Sequence, residues 1–314
     1  LHPSYHDKVE FDVAITCFTL DFEEKIKRYE NLHLTKDEIR HYKQVLISHT
    51  TEMISMSALQ VSYSKIEALQ QEWTTWENKN LCMSDVPELL NLCAQKGTKE
   101  FSILARHAFV ATSILDSLVA IEVIPHSQLE RFKSSISSVA SEFVEDLNKF
   151  AQDEIEYNVL MEKYGHLRPG TYNIESPRYD QMEQFSGLNS MGRDKSSKIF
   201  EFEPGELKNI QKIFDECGFK GIDAKIFIEY ARSAIEMREA SKFVFSKILS
   251  GVLEIVAEFA QINDISRHEI SFFSIDEIIS FNEGRFYEGK RTELSEEIKR
   301  RQELREIEKC VTLP

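Results

Sequence analysis

Glycine is sparse in this chain, eleven in 314 residues, and scattered. No Gly-x-Gly-x-x-Gly and no Gly-x-x-x-x-Gly-Lys-Ser/Thr run occurs, which excludes the usual backbone cradles for nucleotide phosphates. Cysteine is limited to five residues, Cys17, Cys82, Cys93, Cys217 and Cys310, an odd set without Cys-x-x-Cys spacing. That argues against a disulfide framework and predicts free, mostly buried thiols in a reducing cytoplasm. Basic residues are outnumbered, 38 Lys and Arg against 53 Asp and Glu, for a formal charge of −15. Nucleic-acid binding depends on cations that neutralise phosphates, so it is not expected. A local Arg cluster can still hold a phosphorylated ligand, because a distant acidic surface is screened beyond a Debye length. No apolar run is read as long enough to span a bilayer and no signal peptide is visible, so no membrane partner is predicted. Residue order alone suggests no Ser-His-Asp triad, and among 53 acids no two carboxylates stand out as an acid–base pair.

Hydrophobic residues make up 42% of the chain and aromatic ones 11%, enough for a real core. The predicted fold is mostly α: one elongated multi-helix domain over 1–314, with one structured Gly/Pro/Arg loop and a possible short N-terminal strand. Residues 9–20 mix partial alternation with β-branched and aromatic side chains, which makes 1–22 a strand-like lead-in. Thr35 and Glu38 form a capping box before a helical pattern that runs to about Thr75. Shorter pieces around Pro87 follow, then a strongly apolar helix over 99–123. Pro125 and His126 break that helix, and Ser127 with Glu130 is expected to cap the next. There Leu129, Phe132, Ile136, Val139, Phe143, Leu147 and Phe150 repeat at three and four. Beyond an uncertain 186–197 stretch, Pro204 suits the first turn of a helix over 204–216. Gly218 and Gly221 mark a turn, and 223–262 is the longest helical pattern. Ser266 with Glu269, and Ser274 with Asp276 or Glu277, read as two further helix starts. The charged tail 291–309 pairs Glu296 with Arg300 and Glu297 with Arg301 at i,i+4. It reads as a solvated helix or connector.

Residues 164–179 interrupt this pattern. Sixteen positions hold two Gly, two Pro, one His, two Arg and three Tyr. Pro169 and Pro177 exclude continued helix, and Gly165 and Gly170 are read as permitting backbone angles closed to other residues. Rings and guanidinium groups can stack and donate forked hydrogen bonds, so 164–197 reads as a structured loop that holds something. Tyr164, His166, Arg168, Tyr172 and Arg178 are its candidate contacts. The bland alternative is that the arginines tie the loop to helix C-termini and His166 caps a backbone carbonyl.

Met161-Glu162-Lys163-Tyr164-Gly165-His166, Arg168-Pro169-Gly170 and Ser176-Pro177-Arg178-Tyr179 together resemble the central segment of the phosphoenolpyruvate synthase / pyruvate phosphate dikinase-like phosphotransferases. Weaker echoes are Arg238–Phe243, Ile270–Ile278, His2-Pro3 and Glu10–Val13. Asn173 stands where that family usually has Asp, which puts a cation role there in doubt, and Leu167-Arg168 replaces the commoner Arg-small pair. The resemblance implies a central, non-catalytic part of a larger enzyme. In that enzyme ATP and Mg serve an ATP-binding domain, a swivelling domain carries a phosphohistidine, and a small-molecule acceptor is phosphorylated. Neither the ATP-binding motif nor the phosphohistidine signature is present here, so 291–314 is expected to lead into a further C-terminal domain. The loop residues would then line the acceptor pocket or meet the phosphohistidine domain. The alternative is an interaction scaffold that spaces those domains and has no ligand of its own.

Three other constellations carry possible chemistry. Arg238-Glu239 lies mid-helix among apolar residues; it could face a substrate cavity or form a salt bridge to a neighbouring helix. His2, His6 and Glu10 have metal-ligand spacing on a helix, but Pro3 and the strand pattern oppose one there. His41 and His49 read as ordinary histidines. Arg106-His107 interrupts an apolar helix and needs a partner or a cavity.

Overall fold

The computed structural model describes residues 15–182, 200–219, 221–281 and 291–310. Over these the protein is mostly α, and no strand occurs among the described residues. Residues 9–14 of the expected strand lie outside them, and 15–20 form none. A short helical run, Phe22–Lys25, continues as 3-10 turns over Ile26–Leu32. Then come α1 (Lys36–Met53), α2 (Met56–Glu77), α3 (Val86–Leu92), a π-helical turn (Cys93–Thr98) and α4 (Lys99–Ala120). These are followed by α5 (His126–Ser134), α6 (Val139–Ala151), α7 (Tyr157–Tyr164), α8 (Pro204–Cys217) and α9 (Ala224–Ile262). The chain closes with α10 (Arg267–Ile270), α11 (Ile275–Ser280) and α12 (Arg291–Lys309).

Caps explain most starts. Thr35–Glu38, Ser266–Glu269 and Ser274–Glu277 each form the reciprocal capping box, which satisfies two otherwise orphaned N–H groups. Pro204 occupies the first turn of α8, and the turn after it uses positive φ at Gly218 and Gly221.

Short polar residues explain two breaks that apolar periodicity hides. The pattern expected to run to Thr75 is interrupted at Ile54, where the backbone leaves the helical region, and Ser55 Oγ accepts from the Ala58 N–H to start α2. The three-and-four pattern from Leu129 to Phe150 is two helices. Ser138 and Ser141 exchange hydrogen bonds, Ser138 Oγ accepting from the Ser141 N–H and Ser141 Oγ from the Ser138 N–H, and α6 begins there. Serine hydroxyls compete with the helical ladder, and here they win it. Ser127 does not cap α5. Pro125, extended at φ −73°, is its N-cap, and the Pro125 carbonyl accepts from Gln128 and Leu129.

Where the sequence reading takes one helical body, the contacts form two compact units, each assembled from three stretches. The first comprises Leu1–Ile66, Lys99–Glu145 and Gly192–Lys242; the second comprises Glu67–Thr98, Asp146–Met191 and Phe243–Pro314. In the first unit, touching rings run in series through Phe22, Phe18, Phe219, Phe214, Phe227, Tyr230 and His107. Around them α4 buries Leu104, Val110, Ala111, Ile114, Leu115 and Leu118. Each fully buried aliphatic side chain contributes roughly 1.5–3 kcal/mol relative to exposure. By length and composition the continuous helical run Met83–Ala120 is apolar enough to cross a membrane, with a window of mean hydropathy 1.4. The sequence reading found no such run. More than half of that window, 56%, is packed inside the fold.

The second unit buries Leu69, Trp73, Trp76, Leu89, Phe245, Ile248, Val252 and Ile255. Gly251 lies so close to Trp73 that an added Cβ would sit 2.8 Å from Cη2 of the indole. Within α12, Glu297 rather than Glu296 is the partner: it accepts from both Arg300 and Arg301. Arg301 also grips Glu277 and the Phe272 carbonyl, so α12 is anchored in its own unit rather than solvated all round.

Candidate functional site: an arginine clasp and the cleft beside it

Helix α7 ends at Tyr164 because the chain must turn against itself. A Cβ on Gly165 would lie 2.4 Å from the Met161 carbonyl and 3.0 Å from the Asp180 Cβ, so only glycine fits. Its φ is −57°, an ordinary helical value. Positive φ among the described glycines is confined to Gly218 and Gly221. The loop glycines therefore serve close approach, not the special backbone angles read from the sequence. The returning limb of the loop is held by Tyr179 N–H to the Leu167 carbonyl (2.8 Å) and Asp180 N–H to the Gly165 carbonyl (3.3 Å).

Arg168 is the centre of this loop, with its side chain only 1% exposed. One guanidinium nitrogen donates to the Asn173 and Ser176 carbonyls (3.4 and 3.2 Å). The other donates to Ser250 Oγ (3.0 Å), the Ser250 carbonyl (3.4 Å) and Glu254 Oε1 (2.9 Å) on α9. Its anchor is thus mid-helix, not a helix C-terminus. Glu254 also accepts from Arg267 (2.6 Å) and Gln181 (2.6 Å), and Arg267 reaches the Ile174 carbonyl (3.1 Å). Burial pushes the Glu254 carboxyl up, but hydrogen bonds from Arg267 and Gln181, with the Arg267 and Arg168 contacts, outweigh it and hold the group at about 2. Asn173 Oδ1 accepts from the Glu175 N–H, a turn role that an Asp carboxylate fills equally well.

His166 is buried at 4% exposure, its ring edge-on to Phe243 at 4.7 Å. Neither ring nitrogen has a hydrogen-bond partner of good geometry, only a looser contact with the Lys163 backbone; its own carbonyl accepts from Ser250 Oγ (2.7 Å). Burial, with Lys247 and Arg178 nearby, pushes its pKa down to about 3, so the ring is neutral. Tyr164 is fully buried and donates to Asp146 (2.7 Å), which also accepts from Lys163 (2.8 Å). Burial raises the Tyr164 phenol to about 12. Arg178 is taken up by Asp180 through two hydrogen bonds, and Tyr172 is exposed.

Five of the sequence candidates, Tyr164, His166, Arg168, Tyr172 and Arg178, therefore share one loop in the second unit. Arg238 and Glu239 belong to the first. There they pair with each other (3.0 Å), not with a neighbouring helix, and Arg238 lies over the Phe109 ring at 5.1 Å. His107 is partnered by the Tyr230 hydroxyl (2.8 Å), Arg106 by Thr16 (3.3 Å), and His41 and His49 are exposed. His2, His6 and Glu10 lie outside the described residues, as do 186–197. All five cysteines are free, but only Cys17 and Cys93 are buried.

Sequence reasoning missed Ser250, Glu254, Arg267 and Asp146. A signal for the first two was present: Ser250 and Glu254 stand at i,i+4 in the otherwise apolar stretch Ile248–Val256 of α9, which places a hydroxyl and a carboxylate on one face.

Beside the clasp, in the same unit, α2, α7 and α9 line a cleft of about 140 Å³. Trp73 and Phe243 form its walls, and Glu77, Glu162, Lys163 and Lys247 its polar rim. Lys247 pairs with Glu77 at 2.9 Å. No group of three or more His, Cys, Asp or Glu that could hold a metal ion occurs among the described residues. Comparison with family models, characterised proteins and solved structures finds no match.

Proposed function

We propose that this chain is the central helical region of an ATP-dependent phosphotransferase of the phosphoenolpyruvate synthase / pyruvate phosphate dikinase kind, and that it is non-catalytic there. Its role is to connect and space the ATP-binding and phosphohistidine domains of the same polypeptide, in the cytoplasm. One observation supports the spacing role: Arg168, the most conspicuous candidate contact, is consumed within its own unit by two loop carbonyls, Ser250 and Glu254. Both terminal nitrogens are engaged by five internal acceptors and the remaining Nε–H is buried without a partner, so no accessible fork is left for a phosphate or carboxylate. The motif that carries the resemblance is thus best read as a rigid clasp, which keeps the loop shape constant while mobile domains work around it. Within this unit Phe243, the last residue of one segment that echoes the family, lies against Tyr164 and His166.

The test uses the polypeptide encoded by the gene, labelled with ATP carrying ³²P at the β position, in the presence and absence of residues 1–314. Histidine labelling that survives the deletion while turnover is lost supports the reading. A gene product without a phosphorylatable histidine, or turnover indifferent to the deletion, would sink it.

A further inference from the structure

We propose that the cleft between Phe272 and the C-terminal half of α12 is a binding site for a small organic monocarboxylate with an aromatic or aliphatic body. The proposal stands on this cleft alone and does not depend on the phosphotransferase reading.

The cleft has a volume of about 330 Å³, and Arg300, Arg301, Arg305, Phe272, Leu304 and Glu308 line it. Small-molecule sites span roughly 300–1,000 Å³, so it has room for one small ligand. The residue that points to an anion is Arg305. It is exposed and lies over the Phe272 ring at 5.4 Å. Among the described residues its guanidinium enters no hydrogen bond and no ion pair, in a chain with 53 acids and with Glu308 only three positions further along the helix. A ring contact consumes no N–H, so its forked donors stay accessible to an acceptor from outside the chain.

The other two guanidinium groups show what commitment looks like. Arg301 is held by Glu277, Glu297 and the Phe272 carbonyl. Arg300 gives Nε and Nη2 to Glu297, and its Nη1 makes no hydrogen bond among the described residues. Arg305 therefore supplies a whole fork to the cleft, and Arg300 one further donor beside it.

The platform under Arg305 is fixed. The His268 ring meets Phe272 edge-on at 5.0 Å, and His268 is itself paired with Glu175 at 2.6 Å. A guanidinium resting on a ring that is already held has less freedom to lose when a ligand arrives.

The same lining selects the class of ligand. Ser271 Oγ donates to the His268 carbonyl (2.7 Å), so its proton is spent and the side-chain donors of the cleft are arginines. An acceptor-only group suits such a set, and a carboxylate matches the planar fork with two parallel hydrogen bonds. Glu308 on the lining repels further negative charge, which favours one carboxylate over a dianionic phosphate. Phe272 and Leu304, the latter 46% exposed, offer apolar surface next to the fork for the body of the ligand.

The experiment is a titration of the folded chain with benzoate, with benzamide as the neutral counterpart, phenyl phosphate as the dianion and acetate as the carboxylate without a body. It is followed by the backbone ¹H–¹⁵N signals of residues 267–273 and 298–309. Benzoate should bind saturably with a Kd of about 0.1–10 mM, shift the signals around Phe272 and Leu304, and bind more tightly than acetate. Arg305→Gln, at an exposed position without a polar partner, should leave the thermal transition in place and weaken benzoate roughly tenfold, the weight of a charged hydrogen bond. Arg305→Lys keeps the charge but not the fork and should restore only part of that loss. Glu308→Gln should tighten binding. The proposal is overturned by the absence of saturable benzoate binding up to about 50 mM, well past the affinity expected of so small a ligand. It is overturned equally by benzamide or phenyl phosphate binding as tightly as benzoate, or by benzoate binding that Arg305→Gln leaves unchanged.

Discussion

The two units solve the same problem, holding long helices together, with a different balance of chemistry. The first is stitched by rings in series from Phe22 to His107, with mostly neutral buried contacts such as Tyr230 to His107 at 2.8 Å and one buried carboxylate, Glu100, paired with Lys65 at 2.9 Å. The second buries charge: Arg168, Glu254 and Arg267 form one connected set, and Tyr164, Asp146 and Lys163 another. Apolar packing is non-directional and tolerates exchange of similar volumes. A buried ionic network is directional, and removing one member leaves the others desolvated and unpaired. The second unit should therefore respond far more sharply to single polar substitutions and to pH.

The largest expected effect is Arg168→Ala. It takes the Arg168 donor from the Ser176 carbonyl, leaves the Asn173 carbonyl with only the Ser176 N–H, and removes a cation from Glu254, and should cost about 3–5 kcal/mol in urea unfolding. Loop amides from 167 to 180 should lose hydrogen-exchange protection. Arg168→Lys should not restore them, because an ammonium cannot span both sets of acceptors. A loss under about 1 kcal/mol would show that the clasp is ornamental.

Next comes pH. The His166 pKa in the folded chain is about 3 against an ordinary 6.5, chiefly because burial disfavours the cation. Between those values the unfolded chain binds a proton that the folded ring refuses, so stability is complete above pH 6.5 and falls as pH drops toward 3. The full window is worth on the order of 5 kcal/mol. Glu254 contributes stability that is present above the ordinary carboxylate value of 4.5 and is lost as pH falls toward 2, so its window lies below that of His166. Burial also pushes His107 of the first unit down, so the decisive comparison is between His166→Leu and the parent chain. Thermal melts from pH 7 to 4.5 should flatten in the variant; an unchanged slope would assign the pH response elsewhere.

Gly165→Ala should cost about 1–3 kcal/mol by overpacking against the Met161 carbonyl. An unchanged Tm would mean that the turn has room to relax. In the first unit, Tyr230→Phe removes one hydroxyl from an otherwise apolar series and should cost about 1 kcal/mol. The smallest effect is expected from Arg238→Ala, whose partner is its half-exposed neighbour Glu239, at under about 0.5 kcal/mol. If Tyr230→Phe proved as damaging as Arg168→Ala, the contrast between the units would fail.

Much of the helical architecture is legible in local residues, because caps and helix stops act over a few positions. Thr35, Ser266, Ser274, Pro204 and Gly218 mark the ends they were expected to mark. The misplaced boundaries, at Ile54 and around Ser138, arise where a hydroxyl interrupts an apolar stripe that a periodicity count carries straight through. The loop was legible as structured from its Pro, Gly and Arg content. The use of its groups was not: whether Arg168 faces a ligand or a helix depends on residues more than eighty positions away, Ser250 and Glu254.

The amino-acid sequence by itself determined that the chain is mostly helical, where most helices begin, and that 164–179 is an ordered interruption, since these follow from short-range sterics and hydrogen bonding. Only the tertiary structure decided that the contacts divide into two units, that Glu254 gathers three donors, that His166 is buried with its ring against Phe243, and that the indole N–H of Trp73 is buried without a partner. Each of these joins residues far apart in the chain, and burial, which sets the value of every charge and hydrogen bond, exists only once those distant segments are packed together.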